Sequence, residues 1–296
     1  MNKKSIAISL IIYWISFYFL LPHFIHQVDP DGIAYVNQAK LYFTGGFFTA
    51  INGCWSSLFP ILLSPFVKLG IDPLLLCRLL NGVFSCLLLF SFNELIKKFK
   101  INYSFYLALL PFVICIIMLS ITFYLLGPDV LQTLLLSVLL NILLQDNFFE
   151  SKHKITLAAF IATLCYLAKS YNFSLIIVLA FVLFGLHYYI TTKKVFSVLF
   201  IKKLFFFYAM FLLFCSPYII TISIKYNKPT FSTAGPITMH KSLAPEDFAN
   251  NPIFIPPPSP YSLASSDDPS LNTPNTINFF TSKAYFLKTI LFIRNK

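Results

Sequence analysis

Apolar residues run along most of this chain in blocks with no polar face. Seven blocks stand out, at about 5–22, 73–96, 103–126, 129–145, 155–171, 173–190 and 204–224. A helix rises about 1.5 Å per residue, so about 20 apolar residues cross a hydrocarbon core of about 30 Å. The pattern predicts an all-α polytopic membrane protein of about 7–8 transmembrane helices. The eighth is the weak run 279–296, which Lys283 and Lys288 interrupt. The first block follows "MNKK" and imitates a signal peptide. No small-residue cleavage site follows it, so it reads as a retained helix.

Polar positions between the blocks set the topology. Lys3 and Lys4, then Lys97, Lys98 and Lys100, then Lys152 and Lys154, then Lys193, Lys194, Lys202 and Lys203 fall in loops that alternate to one side. That side is expected to be the cytoplasm, with the N-terminus on it. "WSSLFPILLSPFVKLG", Trp55 to Gly70, is apolar but short, and holds Pro60 and Pro65. Were it to cross, the later lysine loops would move outside, so it is expected to be an interfacial or re-entrant helix. A transmembrane domain at 1–224 then contains a large helical outer loop at 23–72. A Pro-rich external segment follows at 225–278, holding "IPPPSPY", and the weak span at 279–296 ends the chain.

Composition changes this picture little. The chain has 296 residues, 57% of them hydrophobic and 11% charged, against about 25% charged in soluble domains. The net charge of +11 suggests nucleic acid. Half of the basic residues fall in short loops between spans, however, which is the positive-inside pattern and excludes a phosphate groove. Six cysteines, at 54, 77, 86, 115, 165 and 215, show no metal spacing and no disulfide framework.

Charges at span edges carry the candidate chemistry, because they are costly there. In "HQVDPDGIAYVNQAK", Asp29 and Pro30 look like a helix start, with Asp29 as N-cap. Asp31, Tyr35, Gln38 and Tyr42 recur at helical spacing, so they share a polar-aromatic face suited to a sugar. Capping alone also explains both acids. Asp129, in "LLGPDVLQTLLL", opens the fourth block, with Gln132 one turn deeper. Lys169 ends the fifth block in "LCYLAKSYNFS", and Arg78 lies about five residues into the second. Singly, the acid is explained by the helix dipole and the bases by snorkelling. Together, acids and bases at one face suit a reaction on a lipid-linked phosphate.

Three stretches carry a resemblance. They are "DPDGIAYVNQAKLYFTGGFFTAINGCWSSLFPILLSPFVKLGIDPLLLCRLLNG", "GPDVLQTLLLSVLLNILL" and "ATLCYLAKSYNFSLI". In order and content the region 5–225 resembles the GT-C membrane glycosyltransferases that use polyprenyl-phosphate sugars. That group includes protein O-mannosyltransferases, the aminoarabinose transferase of lipid A and RgtA/B/C/D-like enzymes. The resemblance implies a GT-C-like bundle in a bacterial inner (plasma) membrane. It also implies inverting sugar transfer to a hydroxyl acceptor (lipid, glycan or protein) on the outer face. Asp31 would be the catalytic base, through its spacing to Tyr35. Lys169 and Arg78 would contact the donor phosphate. Asp29, Asp129 and Tyr35 would contact substrate or metal. The three aspartates are hard oxygen ligands, so a divalent cation fits the set without being demanded by it. Family members are commonly longer, which raises the expectation of a truncated, non-catalytic lipid-binding relative. A lipid or polyol transporter is the remaining alternative, and it would place its polar groups at the midplane.

Overall fold

A computed structural model describes residues 3–27, 29–99, 104–145, 147–192 and 198–234. Among them every regular element is helical. In chain order the helices are α1 (Lys3–Phe24), α2 (Pro30–Thr44), α3 (Phe47–Ala50), α4 (Leu58–Lys68) and α5 (Pro73–Lys98). They continue with α6 (Ser104–Tyr124), α7 (Asp129–Leu143), α8 (Lys152–Ala168), α9 (Asn172–Thr192) and α10 (Val198–Lys225). The run at 279–296, the Pro-rich segment from 235 onward, and Lys100, Lys193 and Lys194 lie outside the described residues.

Each of the seven apolar blocks is a helix, and four of these helices, α1, α5, α6 and α10, are long and apolar enough to cross a membrane. Their surfaces have the character lipid requires. On α1 the buried stripe is Ile6, Ser9, Tyr13 and Phe17, while Ile8, Ile11, Ile15 and Tyr18 lie outward, Ile11 at 60% exposure and Tyr18 at 72%. In water the outward stripe of such a helix would be polar. Here the outward stripe is apolar, as expected of an integral membrane protein.

The helices pack in a sheet-like series: α1 on α6, α6 on α5, α5 on α7, α7 on α8, α8 on α10, and α9 beside α8 and α10. Helix α8 occupies the centre because its side chains are small. Ala158, Ala159, Ala162 and Ala168 are fully buried, which lets its neighbours approach closely. Helix α10 answers with Phe207, Phe211, Cys215, Tyr218 and Ile222, a buried stripe at helical spacing. Pro217 inside α10 has no N–H for the Leu213 carbonyl, and Ser216 Oγ donates to that carbonyl at 2.8 Å.

Helix α4 has 11 residues, about 16 Å at 1.5 Å per residue, too short to cross. It packs on α2 and touches α5 and α8. Helices α2, α3 and α4 therefore gather at one end of the bundle, with the starts of α5 and α7 and the ends of α1, α6, α8 and α10. Lys3, Lys4, Lys97, Lys98, Lys152, Lys154, Lys202 and Lys203 lie at the other end.

Candidate functional site

The site is built on the first turn of α2. Asp29 is its N-cap and Pro30 its first residue. The Asp29 carboxylate accepts from Gly32 N–H with one oxygen and from Leu126 N–H with the other, both at 2.9 Å. The cap thus ties the first loop to the turn before α7, a link local sequence does not reveal. Gly32 is needed for that approach, since a Cβ there would lie 2.4 Å from Leu126 Cβ. With both oxygens held by backbone, Asp29 is a brace.

Asp31, in the same turn, is exposed. One turn on, Tyr35 is buried at 4% exposure, edge-on to Trp55 at 5.7 Å and to Phe59 at 6.1 Å. Burial pushes its phenol well above the ordinary tyrosine range, and the charges of Asp31 and Asp129 add to the rise. Both carboxylates therefore act on one phenol. Burial also pushes the Tyr42 phenol up, to about 12. Gln38 is buried and donates to the Trp55 carbonyl at 3.3 Å. The expected sugar-facing surface of Asp31, Tyr35, Gln38 and Tyr42 is corrected here. From Tyr35 onward it is packed under the 51–57 loop and α4, and Asp31 is its exposed member. Helical spacing identifies residues that share a face but not what covers that face.

Asp129 opens α7, where the helix dipole favours an anion. It pairs with Lys169, the residue after α8, at 2.5 Å, and both side chains are about a quarter exposed, at 32% and 22%. A Cβ on Gly127 would lie 3.1 Å from Asp129 Oδ2 and 3.4 Å from the Tyr35 ring. Gly127 therefore separates the ion pair from the tyrosine by little more than a contact. Asp129 and Lys169 meet directly, and Asp31 and Tyr35 lie on α2 at the same end of the bundle.

Arg78 does not join them. It is fully buried and donates to the carbonyls of Phe24 and Gln27 at 2.5 Å and of Leu74 at 3.2 Å. Its guanidinium caps the end of α1, which overturns the expected phosphate contact. Lys225 holds the carbonyls of Phe48, Thr49 and Ile51 in the same way, at 3.2, 3.0 and 2.8 Å. Among the described residues no group of three His, Cys, Asp or Glu side chains can hold a metal ion. Asp29 is occupied by backbone N–H groups and Asp129 by Lys169.

A strap following α10 completes the end. Thr233 N–H donates to Gly53 O at 2.9 Å, and Gly53 N–H donates to Tyr226 Oη at 3.1 Å. Ser232 Oγ bonds Ser170 Oγ at 2.8 Å, beside Lys169. Tyr218 Oη donates to Asn52 O at 2.8 Å, and Tyr166 Oη to Phe231 O at 2.5 Å. Gly53 permits this crossing, because a Cβ there would meet Thr233 Cγ2 at 2.6 Å. Residues 226–234 thus belong to the packed domain, although their composition places them with the Pro-rich segment. Beyond the pair, Gln132 Nε2 donates to Tyr171 Oη and Asn172 Nδ2 to Cys165 O, the latter at 2.8 Å. The serines and tyrosines of this network carry no local signal, since each is recognisable only by its distant partner.

Comparisons with protein-family models, with curated proteins and with solved structures find no match.

Proposed function

We propose that the chain is a GT-C-type membrane glycosyltransferase of 7–8 spans, acting at the α2 end on the outer face. It moves a sugar from a polyprenyl-phosphate donor to a hydroxyl acceptor. One observation carries the reading: the charge of Asp31, an exposed carboxylate, and the charge of Asp129, which pairs with Lys169, both reach the buried Tyr35 phenol. Eight described lysines at the opposite end support placing that end in the cytoplasm.

In this mechanism the acceptor oxygen attacks the anomeric carbon as the bond from that carbon to the phosphate oxygen breaks. Asp31 takes the acceptor proton, and the phosphate leaves with the electron pair. Charge on the leaving oxygen rises through the step. Lys169, shared between Asp129 and that phosphate, stabilises the transition state more than the ground state. Tyr35 is unsuited to be the base, because its raised phenol stays protonated near neutral pH. It packs α2 against Trp55 and Phe59 instead. Arg78 takes no part in the chemistry.

The test is transfer from a panel of labelled polyprenyl-phosphate sugars in purified membranes. Unmodified protein should transfer one of them. Lys169→Met should weaken donor binding about tenfold or more, through loss of a charge-assisted contact to phosphate. An absence of transfer with every donor would overturn the reading, as would unchanged donor affinity in Lys169→Met.

A further inference from the structure

Helix α7 meets the turn between α8 and α9 at two levels. Asp129 and Gln132 are three residues apart, so they share one face of α7, about 4.5 Å apart along its axis. Lys169 and Tyr171 are two residues apart on the turn, and the backbone at Lys169 is extended, with φ −147° and ψ 125°. The Lys169 ammonium meets the first group, Asp129, at 2.5 Å. One turn deeper, Gln132 Nε2 donates to Tyr171 Oη, and it donates to Asn172 Oδ1 at 3.4 Å.

The turn fixes its own shape. Lys169 N–H donates to Cys165 O at 3.0 Å, and Lys169 O accepts from Asn172 N–H at 3.0 Å. Asn172 is fully buried, and its Nδ2 donates to Cys165 O at 2.8 Å. All of these bonds lie within 165–172, so none of them sets the distance from the turn to α7. That distance is held by Asp129 and Gln132, and the two links are unequal. The ion pair is about a quarter exposed, and water weakens such a pair. Gln132 is buried at 7% exposure, where an unpaired amide is costly, so its bonds persist.

We propose that Gln132 is the positioning residue for Lys169. It sets the spacing between the α8–α9 turn and α7, and that spacing keeps the Lys169 ammonium on Asp129 at the mouth of the site. That the anion met there is a donor phosphate rests on the transferase reading; the positioning of Lys169 does not.

Two measurements on the purified full chain in detergent keep these apart. The first is acylation by an amine-reactive succinimidyl ester, followed lysine by lysine as modified peptides in a mass spectrometer. Gln132→Leu should raise the rate at Lys169 about two- to fivefold, the range over which a partly exposed ion pair protects its amine. Lys68, exposed at the same end on α4, should keep its unmodified rate. Tyr171→Phe removes one of the two bonds and should raise Lys169 labelling by less. Tyr171 is 57% exposed, so Tyr171→Phe carries the test even if Gln132→Leu does not fold. Unchanged labelling of Lys169 in either folded variant overturns the proposal. An equal rise at Lys68 also overturns it, because Gln132 would then be a general brace. The second measurement is donor affinity. Gln132→Leu should weaken it by less than Lys169→Met does and add nothing in the double variant, since the two act as one unit. Losses that multiply in the double variant overturn the proposal. Raised labelling of Lys169 with no transfer from any donor would sink the transferase and leave Gln132 in its role, and transfer with unchanged labelling would do the reverse.

Discussion

The two ends of the bundle are held together differently. At the α2 end, side chains reach across the chain to backbone groups: Asp29 to Leu126, Tyr218 to Asn52, Tyr226 to Gly53, Arg78 to Phe24 and Gln27. At the lysine end the described polar contacts are fewer. The Lys97–Glu94 pair is local and about half exposed, and Lys98 reaches across to the Asn141 carbonyl on α7. Burying polar groups is costly unless each is paired, so a network like that of the α2 end persists where geometry must be held. The ion pair and Asp31 lie inside that frame, which is the preorganisation a charge-separating reaction needs. At the lysine end the charges mark a side of the membrane, and the cross-helix bonds gather on the α5–α7 seam, where Asn141 donates to Ser91 O at 2.7 Å.

The sharpest way to break this contrast is Asp31→Asn. The substitution keeps size and helix-start polarity and removes the base. Turnover should fall by a factor of about 10² to 10⁴, with protein level and donor binding little changed. If Asp31 were only a first-turn acid, turnover would stay near normal, because the dipole contribution is about 0.3–1 kcal/mol. Normal turnover in Asp31→Asn with an inactive, fully folded Asp29→Asn would move the base two residues back. The structure argues against that, since both Asp29 oxygens are bound to backbone.

Arg78→Met sharpens it next. If the guanidinium caps α1, its removal takes away a fully buried side chain that ties the end of α1 to α5. Stability should fall by roughly 3 kcal/mol, read from thermal unfolding in detergent. Turnover per folded molecule should stay near the unmodified value. The opposite pattern, intact stability with weakened donor binding, would return Arg78 to the phosphate.

Much of this was legible in the sequence, and the boundary is physical. Seven helices follow from apolar length, and the α2 start follows from Asp29–Pro30, because both signals are local. Asp31, Asp129 and Lys169 stand out because charge at a span edge is costly. Arg78 stands out for the same reason, yet its role was misread. Its partners are carbonyls of a neighbouring helix end, and every residue has a carbonyl. The strap at 230–234 is invisible for a related reason. It has no periodicity, and its bonds run to Gly53 and Ser170, far away in the chain.

The smallest expected effect belongs to the lysine end, and it tests whether that end is as loosely held as it looks. Lys97→Gln removes the Glu94 pair at 2.5 Å, an i,i+3 contact between side chains 56% and 59% exposed. An exposed pair of this kind contributes about 0.2–1 kcal/mol, because water screens it and both side chains lose freedom in forming it. The melting temperature should therefore barely move, and donor turnover at the far end should not change. Loss of the positive charge should matter for insertion instead. Lys97 and Lys98 both sit in the last turn of α5, so Lys97→Gln alone should keep the orientation. Lys97→Gln with Lys98→Gln should raise the share of chains inserted the other way, read by labelling a cysteine at Gly45 in intact cells with an impermeant thiol reagent. A large stability loss from Lys97→Gln alone would mean that the lysine end is braced like the α2 end, and the contrast between them would fail.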